Sequence, residues 1–127
     1  MKSCMTFFAL LMLLSSSVYA ELAPATPAAI DQALASGKPT LIDFGLLTCG
    51  VCKKMAPYLA AVADEYQNQA NILFIDVRAD QTLARKFNIR MLPAQVFIDS
   101  GGREVQRHTG YLDQAGILAG LKAAGLK

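Results

Sequence analysis

The sequence predicts one mixed α/β domain, a central sheet flanked by helices. Three observations point to it. Short apolar runs of strand length alternate with segments of helical periodicity, capping and turn residues fall between them, and there are no internal repeats or low-complexity linkers. An Ala- and Pro-rich stretch over 21–29 reads as a short leader into the domain. Within it Thr26 can cap a helix, with Pro27 at the first helical position, where a missing N–H costs nothing. Ile30, Ala33 and Leu34 mark the inner face of that helix, and Gly37 and Pro39 end it. Residues 40–44 form a short apolar strand that carries one acid, Asp43. A loop over 45–48 leads into a helix from 49 or 50 to 67, with Met55, Leu59, Val62, Ala63 and Tyr66 at helical spacing. Pro57 lies inside it, removes one backbone hydrogen bond and predicts a kink.

The second half continues the alternation. Residues 72–77 are continuously apolar apart from Asp76, which predicts a strand buried on both faces. Asp80 can cap a short helix through Phe87. Residues 88–92 lead to Pro93 and a strand over 95–99, and the turn Ser100-Gly101-Gly102 returns the chain as a hairpin strand over 104–109. Asp113 caps the last helix, with Ile117, Leu118 and Leu121 facing inward. Gly116 and Gly120 should each weaken that helix by up to about 1 kcal/mol relative to Ala.

Composition bounds what such a domain does. A chain of 127 residues is enough for one domain and too short for two. With 54% apolar residues, 17% charged and a net charge of +2, it is neither a disordered chain nor a highly charged binder of nucleic acid. The apolar residues are unevenly spread, with 14 among the first 20. Lys2 precedes an apolar run over 6–14, far shorter than the roughly 20 residues of a bilayer span. Ser15, Ser16 and Ser17 follow, then Val18-Tyr19-Ala20, with small residues where a signal peptidase reads. Residues 1–20 therefore read as a secretory signal peptide cut after about Ala20, with a retained anchor as the alternative, and 21–127 as the working domain. A lipoprotein would need its Cys after the apolar run, and Cys4 lies before it. The expected location is exported, in the periplasm.

Removing the leader leaves two cysteines, Cys49 and Cys52, and 11 basic against 10 acidic side chains. That balance gives no strong field for nucleic acid or anionic lipid. A structural disulfide across so small a loop would stabilise little, so the spacing suggests chemistry. Cys-Gly-Val-Cys stands at a strand-to-helix junction, where unpaired N–H groups and the helix dipole favour a thiolate on Cys49. The thiolate is the form that attacks a disulfide. Cys52, one turn further in, would be the more buried thiol and would resolve the mixed disulfide. No metal site is expected. Structural zinc wants four ligands, and only His108 could join the two cysteines. A Cu(I) module with Met55 as a soft third ligand is the non-enzymatic alternative, although Met55 also falls on the apolar face of its helix.

Several blocks resemble the thioredoxin family: Leu41-Ile42-Asp43-Phe44, the Cys-Gly-Val-Cys, the following Lys53-Lys54-Met55-Ala56-Pro57, and Asn88-Ile89-Arg90-Met91-Leu92-Pro93. Their order and spacing match across nearly all of the mature chain, closest to small exported bacterial thioredoxin-like proteins. Residues 97–118 are also similar to the C-terminal domain of the periplasmic thiol–disulfide interchange protein. The resemblance implies the thioredoxin fold, a redox-active Cys49–Cys52 disulfide with no other cofactor, and a cis bond between Leu92 and Pro93 facing the cysteines. It implies that the substrate chain pairs with the backbone beside Pro93, with Gly50, Val51 and Leu92 completing the contact. It also implies a proton role for Asp43, six residues before Cys49. A carboxyl in an apolar site can exchange a proton near neutrality and assist the deprotonation of Cys52.

Three departures bear on function. Thr48 stands where many thioredoxins have Trp, the central dipeptide is Gly-Val, and the Lys that neighbours the buried acid in many members has no match at Ile75-Asp76-Val77. Oxidising members of the family usually carry a His between the cysteines, which Val51 does not supply. The expected activity is therefore disulfide reduction or electron carriage, with thiol oxidase or disulfide isomerase as the alternative on the same fold. The expected partners are protein disulfides, a membrane electron transporter as donor, and oxidised periplasmic thiols, those of cytochrome c maturation among them, as acceptors. Leu46, Leu47, Val51, Met91 and Leu92 are candidates for an apolar docking rim, and nothing requires more than a monomer.

Overall fold

A computed structural model describes residues 20–127, so the leader read over 1–20 lies outside the described residues apart from Ala20. The elements run α1 (Pro27–Ala35), β1 (Thr40–Gly45), α2 (Gly50–Glu65), β2 (Asn71–Asp76), α3 (Gln81–Lys86), β3 (Ala94–Ile98), β4 (Glu104–Thr109) and α4 (Gln114–Ala123). Their kinds and order are those the periodicity predicts. The sheet order is β2-β1-β3-β4, with β1 parallel to β2 and antiparallel to β3, and β4 antiparallel to β3. Among the described residues no helix is long and apolar enough to cross a membrane.

Local chemistry sets the helix ends. The Thr26 hydroxyl accepts from the Ala29 N–H at 3.2 Å. Asp80 accepts from Thr82 at 2.9 Å, and Asp113 from Gly116 at 2.8 Å, each satisfying an N–H that no helical carbonyl can reach. Two apolar layers then enclose the sheet. On one face Leu41 and Phe97 pack against Met55, Leu59 and Val62 of α2 and Ile117 and Leu121 of α4. On the other, Ile42, Phe44, Val96 and Ile98 pack against Ile30 of α1 and Leu83 of α3.

The structure differs from the sequence-based expectation in several places. β2 is an edge strand that is only partly buried, at Ile72, Phe74 and Ile75, and the fully buried strands are β1 and β3. An apolar run does not distinguish burial between layers from an edge that a neighbouring segment covers. Here the cover is the stretch read as a leader: Pro24 bridges to Phe74, and the Ala25 N–H donates to the Phe74 carbonyl at 2.7 Å. Gly45, expected in a loop, is the buried last residue of β1. β3 begins at Ala94, one residue earlier than expected, and α2 ends at Glu65 instead of 67.

A further difference concerns Gly120. It faces the sheet, and a Cβ there would overlap the ring of Phe97, a side chain with no exposure. A Cβ at Gly116 would meet chiefly the flexible end of Leu112. Gly120→Ala is therefore expected to destabilise the domain by about 2 kcal/mol, overpacking outweighing the helix-propensity gain of about 1 kcal/mol. Gly116→Ala should be neutral or stabilising. Thermal unfolding of the two variants checks this, and equal midpoints would rule out the close approach as the reason for Gly120.

Candidate active site

The C-terminal end of β1 delivers the chain to the site. After Gly45 a short loop over 46–48 brings Cys49 to the N-cap of α2, with an extended backbone and its sulfur accepting from the Cys52 N–H at 3.2 Å. The cap thus carries sulfur where Ser or Asp usually stands. Cys52 lies one turn on and is 6% exposed, while Cys49 is half-buried. Both are free thiols. Gly45 makes room for the inner one, since a Cβ there would lie 2.9 Å from the Cys52 sulfur and 3.2 Å from the Phe74 ring.

The two sulfurs are electrostatically unlike. Hydrogen bonding from the Cys52 thiol lowers the pKa of Cys49; its small desolvation opposes this, and the N–H groups of Cys52 and Val51 add to the lowering. Burial pushes Cys52 up to about 11, helped by its hydrogen bond to Cys49. One thiol is thus poised to ionise in reach of solvent, and the other holds its proton inside.

Asp43 is 1% exposed on the α2 face of β1. Burial raises its pKa to about 6, and a hydrogen bond from Gln95 opposes that rise. Its charge also opposes ionisation of both cysteines. A cavity of about 40 Å³, lined by Asp43, Cys52, Leu46 and Phe74 and reached by the exposed Glu21 and Lys53, joins the acid to the resolving thiol. It has room for water.

The other candidates from the sequence fall as follows. Gly50 and Val51 open α2 on the surface, Val51 being 40% exposed. The Leu92–Pro93 peptide bond is cis. Pro93 is buried and leads directly into β3, whose first residue, Ala94, pairs with Phe44. It therefore stands at the same end of the sheet as the loop to Cys49. Leu92 is half-buried against the α1 side of the core. Leu47, Met91 and Val51 are exposed around this end, whereas Leu46 is half-buried. Met55 is fully buried in the core, and His108 donates through Nε2 to the Tyr111 carbonyl at 3.0 Å. Gln95 was not legible as a site residue. Its place depends on strand register, which sets it opposite Asp43.

Comparison with known proteins agrees with this geometry. The family model described as Thioredoxin matches residues 21–123. The chain is 34% identical over 93 residues to a thioredoxin of Mycolicibacterium smegmatis, covering 72% of this chain and 82% of the relative. It is 36% identical over 88 residues to the bifunctional thioredoxin reductase/thioredoxin of Mycobacterium leprae, covering 69% of this chain and 19% of that longer protein. Among solved structures, chloroplastic thioredoxin z superposes with a TM-score of 0.70 at 26% identity, covering 84% of this chain and 96% of the other.

Proposed function

The chain belongs to the thioredoxin family and is a thiol–disulfide oxidoreductase, and from that premise we propose that it is an exported reductant of protein disulfides in the periplasm. Members of the family work through a redox-active cysteine pair and need no added cofactor. Here that pair is Cys49 and Cys52. The Cys49 thiolate attacks one sulfur of a substrate disulfide, and the other sulfur leaves as a thiolate. Cys52 then gives up its proton, with Asp43 as the nearby acceptor, and attacks the Cys49 sulfur. The substrate is released with both sulfurs reduced, and the protein carries the Cys49–Cys52 disulfide.

The observation that carries the reducing direction is the set of groups acting on Cys49. Everything that lowers its pKa is a neutral hydrogen-bond donor, and the one charge involved, Asp43, disfavours the thiolate. A family member becomes a strong oxidant when its reduced thiolate is strongly stabilised. Among the described residues no cation acts on Cys49 for that purpose. The potential of the pair, measured by equilibration with glutathione, should fall toward the value of about −270 mV typical of thioredoxin. A value near about −120 mV would instead mark an oxidase.

A reductant in an oxidising compartment needs a supply of electrons. The proposed donor is a membrane electron transporter, and the proposed acceptors include disulfides formed between cysteines that await haem attachment in cytochrome c maturation. The similarity of residues 97–118 to the interchange protein and the leader over 1–20 support this placement. Substrates would dock on the apolar end of the sheet, against Leu47, Val51 and Met91, the last 68% exposed.

A further inference from the structure

We propose that Gln95 is a positioning residue for the proton step, an uncharged partner that holds the Asp43 carboxyl both before and after it accepts the proton of Cys52. The inference rests on the reading that Asp43 serves Cys52, and goes beyond it by naming the group through which the acid is held.

Gln95 has no exposed surface, though it is polar and sits in an otherwise apolar strand. Its Nε2 donates to Asp43 Oδ1 at 3.0 Å and lies 3.8 Å from the Met55 sulfur. Its Oε1 is buried with no hydrogen-bond partner among the described residues. An orphaned acceptor costs free energy and calls for a use. The ionised carboxylate only accepts and is matched by the amide N–H. The neutral carboxyl carries an O–H, the donor that Oε1 lacks. A primary amide is the uncharged side chain that can satisfy both forms, by a second hydrogen bond or by a half-turn of its last bond. The ladder sets this up: Phe74, Asp43, Gln95 and His108 stand in register across the four strands.

In the step itself the Cys52 S–H bond breaks, the proton goes to Asp43, and the electron pair stays on sulfur. That sulfur bonds to Cys49 as the bond from Cys49 to the substrate breaks, and the substrate sulfur leaves as a thiolate. Other charged or titratable groups near Asp43 are few. From α2 come Cys49, Cys52 and Lys53, and from the N-terminal segment Glu21. β2 offers Phe74 opposite Asp43, and β4 offers His108 beyond Gln95, its Nε2 engaged by Tyr111.

The test reads resolution of a Cys49 mixed disulfide against pH in the full chain, with oxidised glutathione as the probe. Gln95→Leu should slow resolution about tenfold at neutral pH and move the Asp43 limb of the profile upward by about one pH unit. In an Asp43→Asn background it should add no further loss. NMR signals of the Gln95 side-chain amide in the unaltered protein should shift with the Asp43 midpoint and become flat in Asp43→Asn. This last measurement needs no Gln95 variant, so a folding failure of Gln95→Leu leaves the test intact. If Asp43→Asn slows resolution but Gln95→Leu does not, or the losses add, or the amide signals ignore the Asp43 titration, the role of Gln95 is overturned and that of Asp43 survives. If Asp43→Asn itself resolves at the normal rate, the acid has no proton role and both readings fall.

Discussion

Cys49→Ser should lose disulfide reduction by more than about 10³-fold, the order expected when a covalent nucleophile is removed, whereas Cys52→Ser should react once and then stall. The difference follows from where the two sulfurs sit. Cys49 is reachable and its pKa is lowered by the Cys52 thiol and two backbone N–H groups. Cys52 is buried with a pKa near 11, so only about one part in 10⁴ is thiolate at pH 7. A limiting amount of alkylating agent at neutral pH should therefore label Cys49 and spare Cys52. In Cys52→Ser, the substrate stays bound to Cys49 as a mixed disulfide, separable on a non-reducing gel and identifiable by mass. Equal labelling of both cysteines, or a fully active Cys52→Ser, would contradict the assignment of attacking and resolving roles.

Asp43→Asn is expected to stabilise the fold by up to about 3 kcal/mol at pH 8 and by almost nothing at pH 4. The acid titrates near 6 in the native state against 3.8 when unfolded. Between those values the native state holds the extra proton, so stability falls as pH rises through about 4 to 6. Above about 6 the full cost of a buried charge remains, a shift of about two pH units corresponding to about 3 kcal/mol. Asn keeps an oxygen for the Gln95 N–H and carries no charge. Urea unfolding midpoints at the two pH values check this, and midpoints that move in parallel would show that Asp43 carries no burial cost. The same substitution should slow resolution, so the acid trades stability for turnover.

The sequence disclosed the parts of the site that depend on local spacing. Cys49 and Cys52 are one helical turn apart, and Asp43 stands at a fixed short distance before them. It disclosed the helix caps for the same reason, because Thr26, Asp80 and Asp113 each bond an N–H two or three residues on. It did not disclose Gln95, because the contact with Asp43 spans 52 residues and exists only once β1 and β3 adopt their register. Gly120 looked like a weak helix residue for the same cause. Its reason is the Phe97 ring, which belongs to a strand. The β2 run reads as a central strand because an apolar pattern records how much surface is buried and not which segment buries it.

The two margins of the sheet carry a consequence for self-association. A bare strand margin invites another chain to extend the ladder, and this protein blocks both sides by different means. Along β2 the outer hydrogen-bonding line is interrupted at Phe74, where the carbonyl is already taken by Ala25 and the neighbouring Pro24 has no N–H to offer. Along β4 the residues are almost all exposed and include Glu104, Gln106 and Arg107, whose hydration resists stacking by a like strand. Lateral growth into fibrils is thereby discouraged in a protein that must cross a membrane unfolded if it is exported as proposed.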